Sequence, residues 1–170
     1  MTDERMGDGL WSALARLPRG AGVVFRHHAT PPAERRRLFA RVAGVARRRG
    51  LVVVRAGTQH MRGEDGAHNR PGRVRGLRTF AVHDARQATA ARRMGADLVF
   101  VSPVFATRSH PGARVLGRHR AMTLARAART PAVALGGMDD RRFRGLRCFW
   151  GWAGIDAWLA PQGADARLKS

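Results

Sequence analysis

Five short apolar runs recur along this chain, and segments with a helical pattern separate them. The runs are GVVFR at 22–26, LVVV at 51–54, TFAV at 79–82, LVFV at 98–101 and AVAL at 132–135. Because their apolar residues follow one another without alternation, both faces of the strands must be covered, as in parallel sheets. We therefore predict an α/β protein with a parallel sheet, either a barrel or a doubly wound sheet.

The segments between these runs carry apolar residues at helical spacing. Helices are predicted from the Pro31-Pro32 pair to Arg49, from Asp84 to Met94 and near 118–129, with a short helix from Asp139. The glycine-rich stretch 57–76 is interpreted as irregular, and a last strand is predicted at 154–157.

Length and composition favour one domain over residues 1–170. The apolar fraction of 44% is typical of a globular protein, and no run reaches the roughly 20 apolar residues of a membrane-spanning helix. The start, MTDERMGDG, lacks the basic-then-apolar order of a secretory signal. Cys148 is the only cysteine, which excludes an internal disulfide and fits the cytoplasm.

The net charge of +20 is the most unusual property of the composition. Arginine and lysine total 32 residues, and Lys169 is the only lysine. Such a field attracts phosphate polyanions. However, the arginines are spread over several predicted helices, no aromatic residues alternate with them, and no nucleic-acid-binding motif is present. We expect non-specific contact with nucleic acid, and a basic nucleic-acid-associated protein remains one alternative.

The loops that follow the strands indicate where a ligand binds, because ligands in both architectures lie beyond the C-terminal ends of the strands. Most of these loops are cationic or glycine-rich, and few of their residues are acidic. They begin with RHHATP at 26–31, RAGTQH at 55–60, HDA at 83–85, SPVFATRSH at 102–110 and GGMDD at 136–140. This composition predicts a phosphorylated, anionic ligand.

The segments HDARQATAARRMGADLVFVSPVFATRSHPGARVLG (83–117) and PAVALGGM (131–138) resemble the thiamine phosphate synthases and their TenI-type relatives. The resemblance is most specific over 79–138 and continues weakly from Gly22 to Trp158. It implies a (β/α)8 TIM barrel. MTDER resembles the end of the family's first strand, so we expect that strand to be truncated here.

The resemblance also implies a reaction and its residues. The family synthase joins a hydroxymethylpyrimidine diphosphate to a thiazole phosphate with loss of pyrophosphate, which makes this chain a candidate transferase. The family pattern places Arg26 at the diphosphate, with His28 and His110 at positions where the family has lysine. These three are the expected catalytic residues. The expected phosphate-binding residues are Arg26, Thr107, Ser109, Gly136 and Gly137.

The chain departs from the family at the magnesium carboxylates. Arg55-Ala56 and Asn69-Arg70 stand where the family carries them. Mg2+ is therefore implied by the family only, and no metal ligand is predicted. A TenI-like protein that binds or tautomerises a thiazole phosphate is the other alternative, although Pro103 occupies the position of the tautomerase histidine.

Two further expectations concern the strand ends and the partners. His68 and His83 are interpreted as structural residues at strand ends, and Asp156 is expected to repel a phosphate. The expected partners are phosphorylated small molecules, with no membrane, and a homo-oligomer is left open.

Overall fold

The computed structural model describes residues 1–107 and 112–159. Seven strands form one curled sheet in sequence order, and every neighbouring pair is parallel. The strands are β1 Gly22–Phe25, β2 Val52–Ala56, β3 Gly66–His68, β4 Leu77–Val82, β5 Leu98–Val101, β6 Ala132–Leu135 and β7 Gly151–Ala153. The predicted parallel α/β barrel class is confirmed.

Helices connect most of the strands, as expected when parallel strands need crossover connections. They are α1 Gly9–Arg16, α2 Pro32–Arg49, α3 Ala85–Arg93, α4 Gly117–Ala128, α5 Asp140–Phe143 and α6 Asp156–Leu159, with a 3₁₀ turn at Glu4–Met6. Gly50 ends α2 with a φ of +64°, and the Asp84 carboxylate caps α3 by accepting from the Gln87 N–H. In the described ranges no helix combines the length and apolarity needed to cross a membrane.

Two sequence predictions about strands are wrong. The stretch 57–76 contains β3, which is too short for a periodic signal; a Cβ at Gly66 would collide with the Leu77 backbone, so glycine allows the close strand approach. The last strand is Gly151–Ala153 instead of 154–157, since it pairs with β6 and α6 already begins at Asp156.

The first residues of the chain lie between the two outer strands of the sheet. The Thr2 N–H donates to the Val24 carbonyl at 2.8 Å, and the Met1 ammonium donates to the Gly154 carbonyl at 3.1 Å. A largely apolar cleft of about 480 Å³ is lined by residues of both β1 and β7, including Val23 and Trp152. Residues 1–2 therefore connect the C-terminal ends of the outer strands.

Phe25 fixes the end of β1 in the core. Its side chain is fully buried, its ring stacks on His27 with centroids 4.7 Å apart, and Phe39 of α2 meets it edge-on at 5.2 Å. The Arg35 guanidinium lies 5.3 Å from the ring centroid. Aromatic pairs of this kind add to the free energy of burial, so the strand end that leads to the ligand-binding edge is firmly packed.

Replacing Phe25 with alanine should destabilise the fold by about 3–5 kcal/mol, because the substitution removes a buried ring and leaves a cavity. Urea unfolding followed by circular dichroism measures the change. Trp150→Ala is the matched control, since that side chain is 77% exposed, and it should change the free energy of unfolding by no more than about 0.5 kcal/mol. Equal effects of the two substitutions would contradict this packing.

Candidate functional site

Two adjoining cavities lie at the C-terminal ends of the strands. The first, of about 410 Å³, is called here the glycine cavity because Gly136 and Gly137 form one wall. The second, of about 330 Å³, is called the histidine cavity and is lined by His28, His68 and His83. The two cavities share five lining residues, Met1, Arg26, His83, Ser102 and Leu135. They therefore form one continuous site with two compartments.

Arg26 follows β1 and lines both cavities. Its backbone is held from two sides. The N–H donates to the Thr2 hydroxyl at 3.2 Å, and the carbonyl accepts from the Arg35 guanidinium at 3.0 Å. Since Arg35 belongs to α2, the packing of that helix determines the position of the Arg26 backbone.

Arg35 holds the backbone that follows β1 in place. The buried guanidinium also donates to the carbonyls of His27 at 2.8 Å and Ala56 at 2.6 Å, which ties β1 to the end of β2. His27 has a φ of +32°, in the left-handed region that non-glycine residues rarely adopt. This turn separates Arg26, which faces both compartments, from His28, which lines the histidine cavity alone.

His28 differs electrostatically from the lysine of the family pattern. Burial lowers its pKa, and the nearby guanidinium groups of Arg26 and Arg35 lower it further. A histidine with a lowered pKa is neutral at pH 7, so His28 offers a phosphate a hydrogen bond there and a positive charge only in acid.

The Gly136-Gly137 turn lies against the loop after β5. Both glycines have positive φ, +95° and +58°. A Cβ on Gly136 would lie 2.8 Å from the Cα of Pro103, and one on Gly137 would collide with the Ala106 carbonyl. Glycine is therefore required at both positions by conformation and by close contact. The turn brings backbone to the wall of the glycine cavity without a side chain in the way.

The remaining predicted phosphate ligands fall on the loop after β5. Thr107 lines the glycine cavity together with Arg26 and the two glycines. Ser109 and His110 lie outside the described residues. Four of the predicted positions that are described, Arg26, Thr107, Gly136 and Gly137, thus share one cavity although more than 100 residues separate the first from the last.

Other residues of the glycine cavity were not singled out as ligands. Arg114 lines it and adds a guanidinium, which the sequence marks only as one arginine among many. Asp156, at the start of α6, lines it as well. The wall therefore carries two arginines and one carboxylate. A carboxylate repels a nearby phosphate and so weakens the binding of the phosphate.

The residues at the family's magnesium positions do not fit a divalent cation. The buried Arg55 guanidinium donates to the Glu64 carboxylate at 2.6 Å, and Glu64 also accepts from the Met61 N–H at 2.8 Å. The side-chain oxygen of Asn69 accepts a hydrogen bond from the Ala81 N–H at 2.7 Å. Mg2+ requires several hard oxygen ligands, and no group of three or more His, Cys, Asp or Glu suited to a metal occurs in the described ranges.

His68 lies at the base of the histidine cavity. It is buried, its Nδ1 is 2.9 Å from the Thr79 hydroxyl, and its ring meets Phe100 edge-on at 5.3 Å. Burial lowers its pKa to about 4, and the positive charge of Arg26 adds to the effect. His68 is therefore a neutral, well-packed ring at physiological pH.

Comparisons with known proteins point to one family. The sequence profile of the family described as thiamine monophosphate synthase matches residues 13–156. A curated relative from Aquifex aeolicus (strain VF5), named "Putative thiamine-phosphate synthase 2", is 32% identical over 84 residues, which are 47% of this chain and 44% of that protein. The aligned part thus spans less than half of that relative.

A solved structure shares the fold. The thiamine phosphate pyrophosphorylase from Pyrococcus furiosus superposes with a TM-score of 0.77, covering 94% of this chain and 85% of that one. The identity is 18%, so this similarity bears on the fold alone.

The buried His68 should make stability depend on pH. Its pKa is about 4 in the folded chain and about 6.5 when unfolded, so the unfolded chain binds a proton first as the pH falls. The contribution is complete above about pH 6.5, and about 2 kcal/mol of it should be lost between about pH 7 and 5. Urea unfolding across this range measures the slope.

His68→Asn removes the titrating ring and should reduce that slope by the part that the ring contributes, whereas the Met1 amine and His28, whose pKa values are also lowered, keep the rest. His119→Asn, on the exposed surface of α4, is the control and should leave the slope unchanged. An unaltered slope in His68→Asn would show that another group carries the pH dependence.

Proposed function

The chain belongs to the thiamine monophosphate synthase family, and from that membership we propose that it joins a hydroxymethylpyrimidine diphosphate to a thiazole phosphate with loss of pyrophosphate. The observation that carries this proposal is the meeting of Arg26, Thr107, Gly136 and Gly137 in one cavity that opens into a second compartment. Two joined compartments suit two substrates that must react with each other.

In this proposal the thiazole phosphate occupies the glycine cavity. Backbone at a glycine turn can approach a phosphate closely because no Cβ intervenes, and the Thr107 hydroxyl and the Arg114 guanidinium border the same space. The carboxylate of Asp156 opposes an anion, so the phosphate is expected on the side of the glycine turn, away from α6.

The pyrimidine diphosphate occupies the histidine cavity, next to Arg26. Departure of pyrophosphate leaves a pyrimidine cation, and negative charge grows on the leaving oxygens. A guanidinium can form two parallel hydrogen bonds to phosphate, and such preorganised donors stabilise the charge where it develops. Arg26 faces both compartments and is assigned this role, and His28 adds a hydrogen bond within the histidine cavity.

Magnesium has no part in this proposal. The family implies the ion, but Arg55 and Asn69 replace its ligands and are committed to other contacts. The positive groups Arg26 and Arg114 supply the charge that faces the substrates. We also propose that the protein works in the cytoplasm and acts on phosphorylated small molecules. Its contacts with nucleic acid are non-specific and come from its high positive charge.

A second candidate function follows from the same missing carboxylates. A TenI-like protein that binds or isomerises a thiazole phosphate needs the glycine cavity and no diphosphate chemistry. The replacement of the magnesium carboxylates by Arg55 and Asn69 favours this candidate over an ordinary synthase.

A coupled assay tests the leading proposal. The purified chain, given both substrates, should form thiamine phosphate between about pH 6 and 8.5, and excess EDTA should leave the reaction running because no carboxylate site is used. Arg26→Gln should lower kcat/KM about ten- to a hundredfold, the cost of one charged hydrogen-bonding partner. Arg36→Gln changes an exposed arginine outside both cavities and should leave kcat/KM unaltered.

Absence of product across that pH range, with thiazole phosphate still bound, would refute the synthase proposal and support the second candidate. Equal losses in Arg26→Gln and Arg36→Gln would mean that general positive charge, rather than a placed guanidinium, drives turnover.

A further inference from the structure

The outer side of α2 carries a concentration of positive charge. The helix contains seven arginines in 18 residues, and its one carboxylate is that of Glu34 in the first turn. Arg35 is buried and Arg49 is half-buried, whereas the other five arginines are exposed. The exposed ones are Arg36, Arg37, Arg41, Arg47 and Arg48. The side of α2 that these five residues define is called here the arginine face.

Acidic side chains do not neutralise the arginine face. Within residues 1–107 and 112–159, none of its five guanidinium groups forms an ion pair with a carboxylate. The sequence contains no acidic residue between Glu34 and Glu64. Arg37 and Arg41 are one helical turn apart, and like charges at that spacing destabilise a helix. An external anion would relieve this repulsion.

Three of the exposed arginines lie in one row along the helix. Positions 37, 41, 44 and 48 share one line of an α-helix, and they carry Arg37, Arg41, Gly44 and Arg48. The Arg48 guanidinium lies back over the glycine, with Nη1 3.8 Å from the point that a Cβ on Gly44 would occupy. The positive charge of the row therefore continues across the turn that has no side chain of its own.

The middle member of the row is held by α1. The Arg41 guanidinium lies 4.4 Å from the ring centroid of Trp11. A cation over an aromatic face is attracted to the ring and keeps its charge. Because Arg41 is already positioned, it loses less side-chain freedom when it binds a ligand.

The chemistry of the arginine face fits a polymer with repeated phosphates. A guanidinium can form two parallel hydrogen bonds to one phosphate. An anionic membrane surface would require large apolar side chains beside the charges, but the exposed apolar residues of α2 are Pro32, Ala33 and Ala40. A single-stranded nucleic acid would require free aromatic rings for base stacking, and the ring of Trp11 is covered by Arg41.

We propose that the arginine face binds the phosphate backbone of double-stranded DNA, without preference for base sequence. A duplex carries a higher density of phosphate charge than a single strand. The major groove of B-form DNA admits an α-helix, whereas the major groove of A-form RNA is deep and narrow. The helix contains no Asn, Gln, Ser or Thr, which are among the side chains that read base edges. The contacts are therefore assigned to phosphate.

This binding surface is separate from the site at the strand ends. None of the five arginines lines the glycine cavity or the histidine cavity. The proposal therefore goes beyond the proposed function and does not depend on it. It also replaces an even distribution of the protein's affinity for nucleic acid with one face of one helix.

Fluorescence anisotropy with a labelled DNA duplex of random sequence tests the proposal. The variant R37Q/R41Q/R48Q removes the row, and glutamine forms helices about as well as arginine does. It should bind about ten- to a hundredfold more weakly than the wild-type chain at about 0.1 M salt. The slope of log K against log salt should become shallower by about 2–3, the value for three lost phosphate contacts.

The matched control is R86Q/R93Q/R120Q, which removes the same charge from exposed arginines of α3 and α4. Its affinity should fall by less than about threefold, with a nearly unchanged slope, because the row stays intact. R37K/R41K/R48K keeps the charge and should keep the slope as well. Unchanged thermal unfolding would show that each variant is folded. Equal losses in the two glutamine variants, or a wild-type chain that does not bind the duplex, would overturn the proposal.

The partner is tested with three competing probes. Single-stranded DNA of the same length should bind the wild-type chain about tenfold more weakly than the duplex, because its phosphate charge is less dense. Duplex RNA should also bind more weakly than duplex DNA. Vesicles of phosphatidylglycerol should show no binding that depends on Arg37, Arg41 and Arg48. Equal or tighter binding of either nucleic-acid probe, or vesicle binding lost in R37Q/R41Q/R48Q, would overturn the assignment to double-stranded DNA.

Discussion

The buried guanidinium of Arg35 is the interaction on which the arrangement of this site depends. It joins the carbonyls of Arg26, His27 and Ala56, and so holds together the ends of two strands and the helix that covers them. A buried charge is costly unless it is fully hydrogen-bonded, and three carbonyl acceptors with an aromatic ring beneath supply that compensation. The strained φ at His27 persists because these contacts hold it. Arg26 and His28 take their positions from this turn.

The second constraint is steric and lies across the sheet. Gly136 and Gly137 pack so closely against residues 103–106 that any side chain would displace the loop after β5. That loop carries Thr107 into the glycine cavity, and Ser102, just before it, fixes the His83 ring. One close contact between two loops thus shapes a wall of one compartment and orients a ring in the other. Arg55, which stands where the family pattern has a magnesium carboxylate, is instead held in a buried ion pair with Glu64.

Sequence patterns predicted most of this fold because the valine-rich runs are long enough to be recognised and helices separate them. They missed β3, since the three residues Gly-Ala-His carry no periodicity, and they misplaced β7, since the three residues Gly-Trp-Ala carry none either. Arg26, Thr107, Gly136 and Gly137, which the family resemblance singles out, line one cavity at the strand ends, where ligands of parallel α/β proteins bind. The setting of His83 could not be predicted, because its ring contacts a carbonyl 19 residues away. Likewise, no spacing in the sequence indicates that Arg35 reaches three carbonyls on two strands.

We propose that the glycine cavity holds a phosphorylated ligand, and a crystal structure of the chain with a thiazole phosphate would show where that phosphate binds. We expect the phosphate at the Gly136-Gly137 turn, within hydrogen-bond distance of backbone N–H groups and of the Thr107 hydroxyl, with the thiazole ring directed toward Arg26 and His83. A phosphate bound only to arginines on the outer faces of the helices, with the glycine cavity vacant, would show that this cavity is not the phosphate site.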